Sequence, residues 1–310
     1  MLNLNVFKSH GTYFAMLSLI VGAVMISFSG VWVKLAQVTP NVSAFYRVFF
    51  GGIILLGAAL YRRELKWLGF RQLMLSLLCG FVFALDLWFY HYCVEYVGPG
   101  LGTIIPNFQV VILAGIGILF LHEPRRWLFL LSLPMAIIGL LMVVGFNWAH
   151  LEKWYRIGVY FGLAAAVCYA GFLLILRKLQ ADQIGMSFFY VLMIVSFATA
   201  IFLGAEIYHT DSTFMIPDLQ SLLALAALGL FSQSIGWFLI TNALPKIRAS
   251  LSGLMLLLQP ALAFVWDVLF FQRPTTLVNW LGVLVALTAI YLGMTGQSAG
   301  DRKAPRDADP

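Results

Sequence analysis

The sequence predicts an all-α integral membrane protein of ten transmembrane helices, built as two inverted five-helix repeats. Three observations predict it. The 310-residue chain is 62% hydrophobic and only 10% charged, against about 25% charged in ordinary soluble domains, so lipid must solvate most of its surface. Its apolar residues fall in runs of about twenty without period-two alternation, which selects helices over a β-barrel as the spanning element. Finally, the second half of the chain repeats the first.

Ten runs qualify, at residues 12–34, 42–61, 70–94, 100–121, 127–146, 157–176, 187–207, 219–243, 250–271 and 276–296. At about 1.5 Å per residue, each can cross a hydrocarbon layer of about 30 Å. The first run follows Lys8 as a secretory signal would, but it exceeds a signal's apolar core and lacks a small-residue cleavage pattern. It is therefore read as the first span.

The first repeat is expected over residues 12–146 and the second over 157–296. Residues 1–11 are expected as a cytoplasmic N-terminus, 147–156 as an external linker and 297–310 as a disordered cytoplasmic tail. With the N-terminus inside, fourteen of the 19 Lys and Arg residues fall on inner segments, including Arg62, Arg63, Lys66, Arg125, Arg126, Arg177 and Lys178. The outer segments hold only Lys34, Lys153, Arg156 and Arg273. This bias predicts a multi-pass protein of the cytoplasmic (inner) membrane with both termini in the cytoplasm. The net charge of +6 is thereby a topology signal, and no nucleic-acid partner is expected.

Shifting the chain by 150 residues aligns Gly100-Leu-Gly-Thr through His122-Glu-Pro with Ser250-Leu-Ser-Gly through Gln272-Arg-Pro, without a gap. Gln109 falls on Gln259, Phe120 on Phe270 and Pro124 on Pro274. Ser43-Ala-Phe-Tyr matches Ser187-Phe-Phe-Tyr at a shift of 144, and Gly11-Thr-Tyr-Phe matches Gly158-Val-Tyr-Phe at 147. Five spans per repeat force the second copy to enter the membrane upside down, a design that supports alternating access in carriers.

These features together resemble the EamA-type branch of the drug/metabolite transporter superfamily. The resemblance rests on the ten spans, Ala44-Phe-Tyr-Arg47 early in the second helix, Gln259-Pro260 before an apolar helix, and Glu123 ahead of Gly139. It implies a carrier whose fifth and tenth helices pack at the periphery, with efflux of metabolites, amino acids or amphiphilic compounds as the expected direction and metabolite uptake or exchange as the alternative. One departure stands out. The family's acidic residue closing the fourth and ninth helices is kept as Glu123 but is replaced by Arg273.

Intramembrane polar groups cost several kcal/mol unless satisfied, so they point to a cavity or a buried partner. Arg47 and Asp86 lie at comparable depth and form a solute anchor, a gate, or a fixed ion pair that orients two helices. Gln109 and Gln259 are repeat mates near the middles of the fourth and ninth helices. Pro106 and Pro260 interrupt those same helices, and paired breaks in opposed repeats are the best sequence pointer to a transport site. Gln233, Trp237 and Thr241 recur at i, i+4 and i+8, a polar-aromatic stripe on the eighth helix. With Trp88 and Asn107, these make the expected substrate-binding set: Arg47, Asp86, Trp88, Asn107, Gln109, Gln233, Trp237 and Gln259. Asn242 and Asp267 are further intramembrane polar groups, with Asp267 near the outer interface.

No enzymatic activity, cofactor or metal is expected. The five histidines lack metal-ligand spacing, and HExxH and P-loop motifs are absent. Cys79, Cys93 and Cys168 fit no disulfide or metal pattern and read as packing residues. A serine-protease reading of Ser27-Phe-Ser29-Gly30 with His91 as base lacks any visible oxyanion donor loop. The rivals from other classes are a membrane-embedded enzyme and a solute-free assembly factor. The expected partners are a small organic solute and the lipid bilayer, with a homodimer as an open alternative.

Overall fold

The computed structural model describes residues 4–65, 67, 69–97, 99–124, 126–144, 153–181, 188–210 and 213–301. Lys66, Arg125, Ser187, most of the linker and the tail beyond residue 301 lie outside the described residues. The described chain is helical throughout its spans: α1 (Leu4–Ser27 and Ser29–Leu35), α2 (Pro40–Tyr61), α3 (Phe70–Val97), α4 (Pro99–Ile104, Ile105–Phe108 and Gln109–Leu119) and α5 (Trp127–Val144). The second repeat supplies α6 (Lys153–Ala181), α7 (Phe188–His209), α8 (Leu219–Ala227, Leu228–Gly236, Trp237–Ala243 and Leu244–Lys246), α9 (Ala249–Leu256 and Leu258–Phe271) and α10 (Leu277–Asp301). Nine of these are apolar over 18 residues or more, and Trp127–Val143 is a shorter apolar helix completing ten. The last helix continues to Asp301, five residues beyond its expected end at 296.

Local chemistry explains the boundaries. Pro40 opens α2 at its first turn, where a missing N–H costs nothing. Asp218 caps α8 by accepting the Ser221 N–H at 2.7 Å, and this bond holds its exposed carboxyl below the usual carboxylate range. The cap therefore stabilises at neutral pH and is lost as pH falls through that lowered value. His122 and Gln272 close α4 and α9 in the left-handed region, at φ 53° and 51°. They stand 150 residues apart, so the repeat extends to backbone conformation.

Two faces need names because they differ below. The Pro40 face is where α1 ends and α2 begins; the Tyr61 face is opposite. Across the bundle α3 packs on α6, and α2 on α7 and α8. Helices α5 and α10 pack on each other through Gly139 and Gly282, where an added Cβ would sit 2.6 Å from a backbone nitrogen of the partner helix. Such close approach is the usual glue of helices in lipid, where no hydrophobic effect drives them together.

Asn279 ties that pair at its end. Its Nδ2 donates to the carbonyls of Met142 and Val143, both at 3.1 Å, while its Oδ1 accepts the Thr276 N–H at 2.7 Å. Asn279→Ala should lower thermal stability in detergent by about 1–3 kcal/mol and leave the solute half-saturation concentration unchanged. A shift in half-saturation would place the α5–α10 pair closer to the site than the contacts imply.

Candidate functional site

Helices α1, α4 and α9 each break beside a common space. In α1 the Ser27 and Ser29 hydroxyls each donate at 2.6 Å to a carbonyl three residues back, beside a break at Phe28. In α4, Pro106 lies in a 3₁₀ turn at Ile105–Phe108, and Asn107 Nδ2 donates to the Thr103 carbonyl at 2.6 Å. In α9 the break comes at Leu257, three residues before Pro260.

Around these breaks lies a chamber of about 320 Å³. Its walls include Ser27 and Ser29 of α1, Arg47 of α2, Phe83, Asp86 and Tyr90 of α3, and Thr103, Pro106 and Asn107 of α4. Tyr169 of α6, Trp237 of α8, and Gln259 and Pro260 of α9 complete it. On α3 the spacing i, i+3, i+7 puts Phe83, Asp86 and Tyr90 on one helical face. A second space of about 790 Å³ adjoins it, sharing Ser29, Gly30, Arg47, Leu87 and Tyr90. It is lined also by Asn41, His91, Glu95 and Glu206. These residues occupy the Pro40-face ends of their helices, so the chamber communicates toward that face with Arg47 at the junction.

Arg47 and Asp86 attract one another electrostatically, yet among the described residues they form no ion pair within 4.0 Å. The Arg47 Nε has no partner among the described residues. Tyr169 and Gln259 line the chamber together, and the Gln259 Nε2 has no hydrogen-bond partner among the described residues. Trp237 is 2% exposed and meets Phe83 and Phe172 edge-on at 5.7 and 4.9 Å. Its Nε1 is likewise unpartnered among the described residues.

The Tyr61 side is closed. Every residue from Ala249 to Leu257 is buried, and this half of α9 packs on Gln109–Leu119 of α4. Glu123 Oε1 accepts the Ala249 N–H at 2.7 Å, and Oε2 accepts the Ser250 N–H at 3.3 Å together with the Ser250 hydroxyl. Arg177 donates to the Ile247 carbonyl.

Of the residues expected from sequence, the structure brings Arg47, Asp86, Asn107, Trp237 and Gln259 to one chamber, together with Pro106 and Pro260. Three stand elsewhere. Gln109 is fully buried and donates from Nε2 to the Gly253 carbonyl at 3.3 Å, joining α4 to α9. Gln233 donates to Ser196 Oγ at 3.0 Å and lies against Gly51. The expected stripe from Gln233 to Trp237 assumed 3.6 residues per turn, but Leu228–Gly236 is a π-helical stretch, whose i→i+5 bonds change the register. Trp88 packs with Tyr92 at 4.9 Å and Phe161 at 6.4 Å instead of facing the chamber. Asn242 accepts from Lys246 Nζ at 2.6 Å. Asp267 pairs with Lys34 and, at 3.6 Å, with Arg273.

Tyr90, Tyr169, Ser27, Ser29 and Thr103 line the chamber although none was in the expected set. Tyr90 was findable, four residues after Asp86 on the same face. Tyr169 carried no local signal, because its place depends on how α6 packs. Among the described residues, no cluster of three His, Cys, Asp or Glu is arranged to hold a metal ion.

A family model described as the EamA-like transporter family matches residues 13–145 and again residues 156–295. No curated protein matches the chain. A solved structure described only as a crystal structure of a protein superposes with TM-score 0.77 at 15% identity, covering 90% of this chain and 98% of the other. That likeness shows the fold alone.

Proposed function

The chain belongs to the EamA-like transporter family, and from that premise we propose that it is a secondary carrier of small organic solutes working by alternating access. The observation that carries the proposal is the chamber. Arg47 and Asp86 face one small space from different helices, unbonded to each other, with a route toward a single face. Two opposite charges kept apart at membrane depth are costly unless something between them satisfies both. A zwitterion does so, its carboxylate toward the guanidinium and its ammonium toward Asp86.

The surroundings support that polarity. Phe83, Tyr90, Tyr169 and Trp237 gather on the chamber's walls with Asp86, and aromatic faces attract cations. The volume of about 320 Å³ lies at the small end of ligand pockets. It suits an amino acid or a metabolite of that size better than a large amphiphile. The charge bias supports a topology with the Pro40 face outside and both termini in the cytoplasm of the inner membrane, and export is the direction that the family resemblance favours.

Flux of radiolabelled amino acids through the purified protein in proteoliposomes tests the reading. Trp237→Ala should raise the half-saturation concentration about three- to tenfold if the ring contacts solute. Gln259→Ala should weaken transport while the protein still inserts and folds. Wild-type flux and half-saturation in both variants would show that these side chains only pack helices, and the cavity assignment would fail.

A further inference from the structure

Superimposing the repeat on the closed side exposes an inequality between the two ends of the carrier. On the Tyr61 face, closure uses a carboxylate at 123, N–H donors at 249 and 250, and empty space at Gly117. A Cβ on Gly117 would lie 2.6 Å from Glu123 Oε2, so only glycine leaves room for the carboxylate. The 150-residue shift names the mates that would close the Pro40 face: Arg273 for Glu123, Pro99 for Ala249, Gly100 for Ser250 and Asp267 for Gly117.

Three of the four cannot perform the task. Arginine has no acceptor for backbone N–H groups, and proline has no N–H to offer. Asp267 stands where the first repeat has glycine and pairs at 3.6 Å with Arg273, just past the end of its own helix. Arg273 also lies over the Phe264 ring at 5.2 Å, and Lys34 binds Asp267 from α1. The Pro40 end of α9 is thus tied to α1 and to itself. Its packing agrees: Gln109–Leu119 of α4 has a large interface with Ala249–Leu256, while the mates Leu258–Phe271 and Pro99–Ile104 share no comparable one.

We propose that the carrier has one latched gate and one unlatched gate. Glu123 holds the Tyr61 face shut in the empty protein, and the Pro40 face closes only when solute draws α4 and α9 together. The mate relation also names a contact of that closed state. Gln109 Nε2 holds the Gly253 carbonyl, and the Nε2 of Gln259, without a partner among the described residues, is its counterpart, with the Thr103 carbonyl as the matching acceptor. This inference rests on the alternating-access reading above.

The test uses full-length protein in oriented vesicles, with the three native cysteines replaced and Ser29→Cys as reporter in the chamber. A membrane-impermeant thiol reagent is added to either face without solute. Labelling is expected from the Pro40 face and slowly from the Tyr61 face. Glu123→Ala removes hydrogen bonds to a charged group and should raise Tyr61-face labelling about tenfold or more.

The converse variant, Pro99→Ala with Asp267→Gly and Arg273→Glu, builds the latch on the other side. It should slow Pro40-face labelling about tenfold or more. If Glu123→Ala fails to fold, this variant decides alone, and unchanged Pro40-face labelling in the folded triple variant overturns the proposal. Parallel flux measurements separate the two readings. Labelling that switches as expected with no flux for any amino acid refutes the zwitterion carrier and leaves the unequal gates. Flux with labelling unmoved refutes the gates alone.

Discussion

Replacing Arg47 or Asp86 singly with leucine is expected to reduce solute flux in proteoliposomes about a hundredfold or more, and to destabilise the protein in detergent. Each single change leaves a charge in a chamber at membrane depth without its opposite, a loss of about 3–5 kcal/mol for groups of this kind. The double variant removes both charges together, so its thermal stability should recover toward wild type. Its flux should not, because neither pole of a zwitterion then has a partner. No ion pair within 4.0 Å joins the two side chains, so the expected coupling runs through the low-dielectric space that they share. Strictly additive stability losses in this cycle would show that the two groups do not sense each other. Full flux in either single variant would remove that side chain from the solute path.

The second large effect falls on helix packing. A Cβ on Gly51 would lie 2.4 Å from Cγ and 2.6 Å from Cβ of Gln233, where α2 crosses the π-helical stretch of α8. Gly229 faces the same crossing, with a Cβ there 2.9 Å from the Gly51 nitrogen. Backbone and side-chain root cannot retreat as a flexible tip can. Gly51→Leu should therefore cost about 3 kcal/mol or more and eliminate folded protein from size-exclusion profiles. Gly57→Leu on the same helix is the control, since nothing lies within 4 Å of its Cβ position. Combining Gly51→Ala with Gln233→Gly removes both offending atoms and should restore folded yield. Wild-type yield from Gly51→Ala without the second change would mean that the crossing tolerates separation.

Much of this fold is legible in the amino-acid sequence. Lipid has no water to satisfy a free backbone, so an apolar run of sufficient length has one stable form, and ten helices in two inverted repeats followed from run length and the 150-residue shift. Part of the chamber followed too. Arg47 and Asp86 are visible because charge at membrane depth demands a reason, and Pro106 and Pro260 because they interrupt mate helices one turn apart on the repeat alignment.

What the sequence by itself determined is therefore the set of costs: which segments must be helices, where they must break, and which polar groups need a partner. Tertiary structure alone decided who the partners are. Gln109 and Gln259 are the same residue at matching positions of the two repeats, yet one amide bonds the Gly253 carbonyl while the other lines the chamber. The π-helical stretch of α8 sends Gln233 to Ser196 and Trp237 to the chamber, although the two sit four residues apart. Glu123 finds its N–H donors 126 and 127 residues away. The physical reason is that a polar group's cost is local and can be read from its own position. The bond that satisfies it belongs to a pair of helices, and their pairing, register and state of closure are set only when the whole bundle packs.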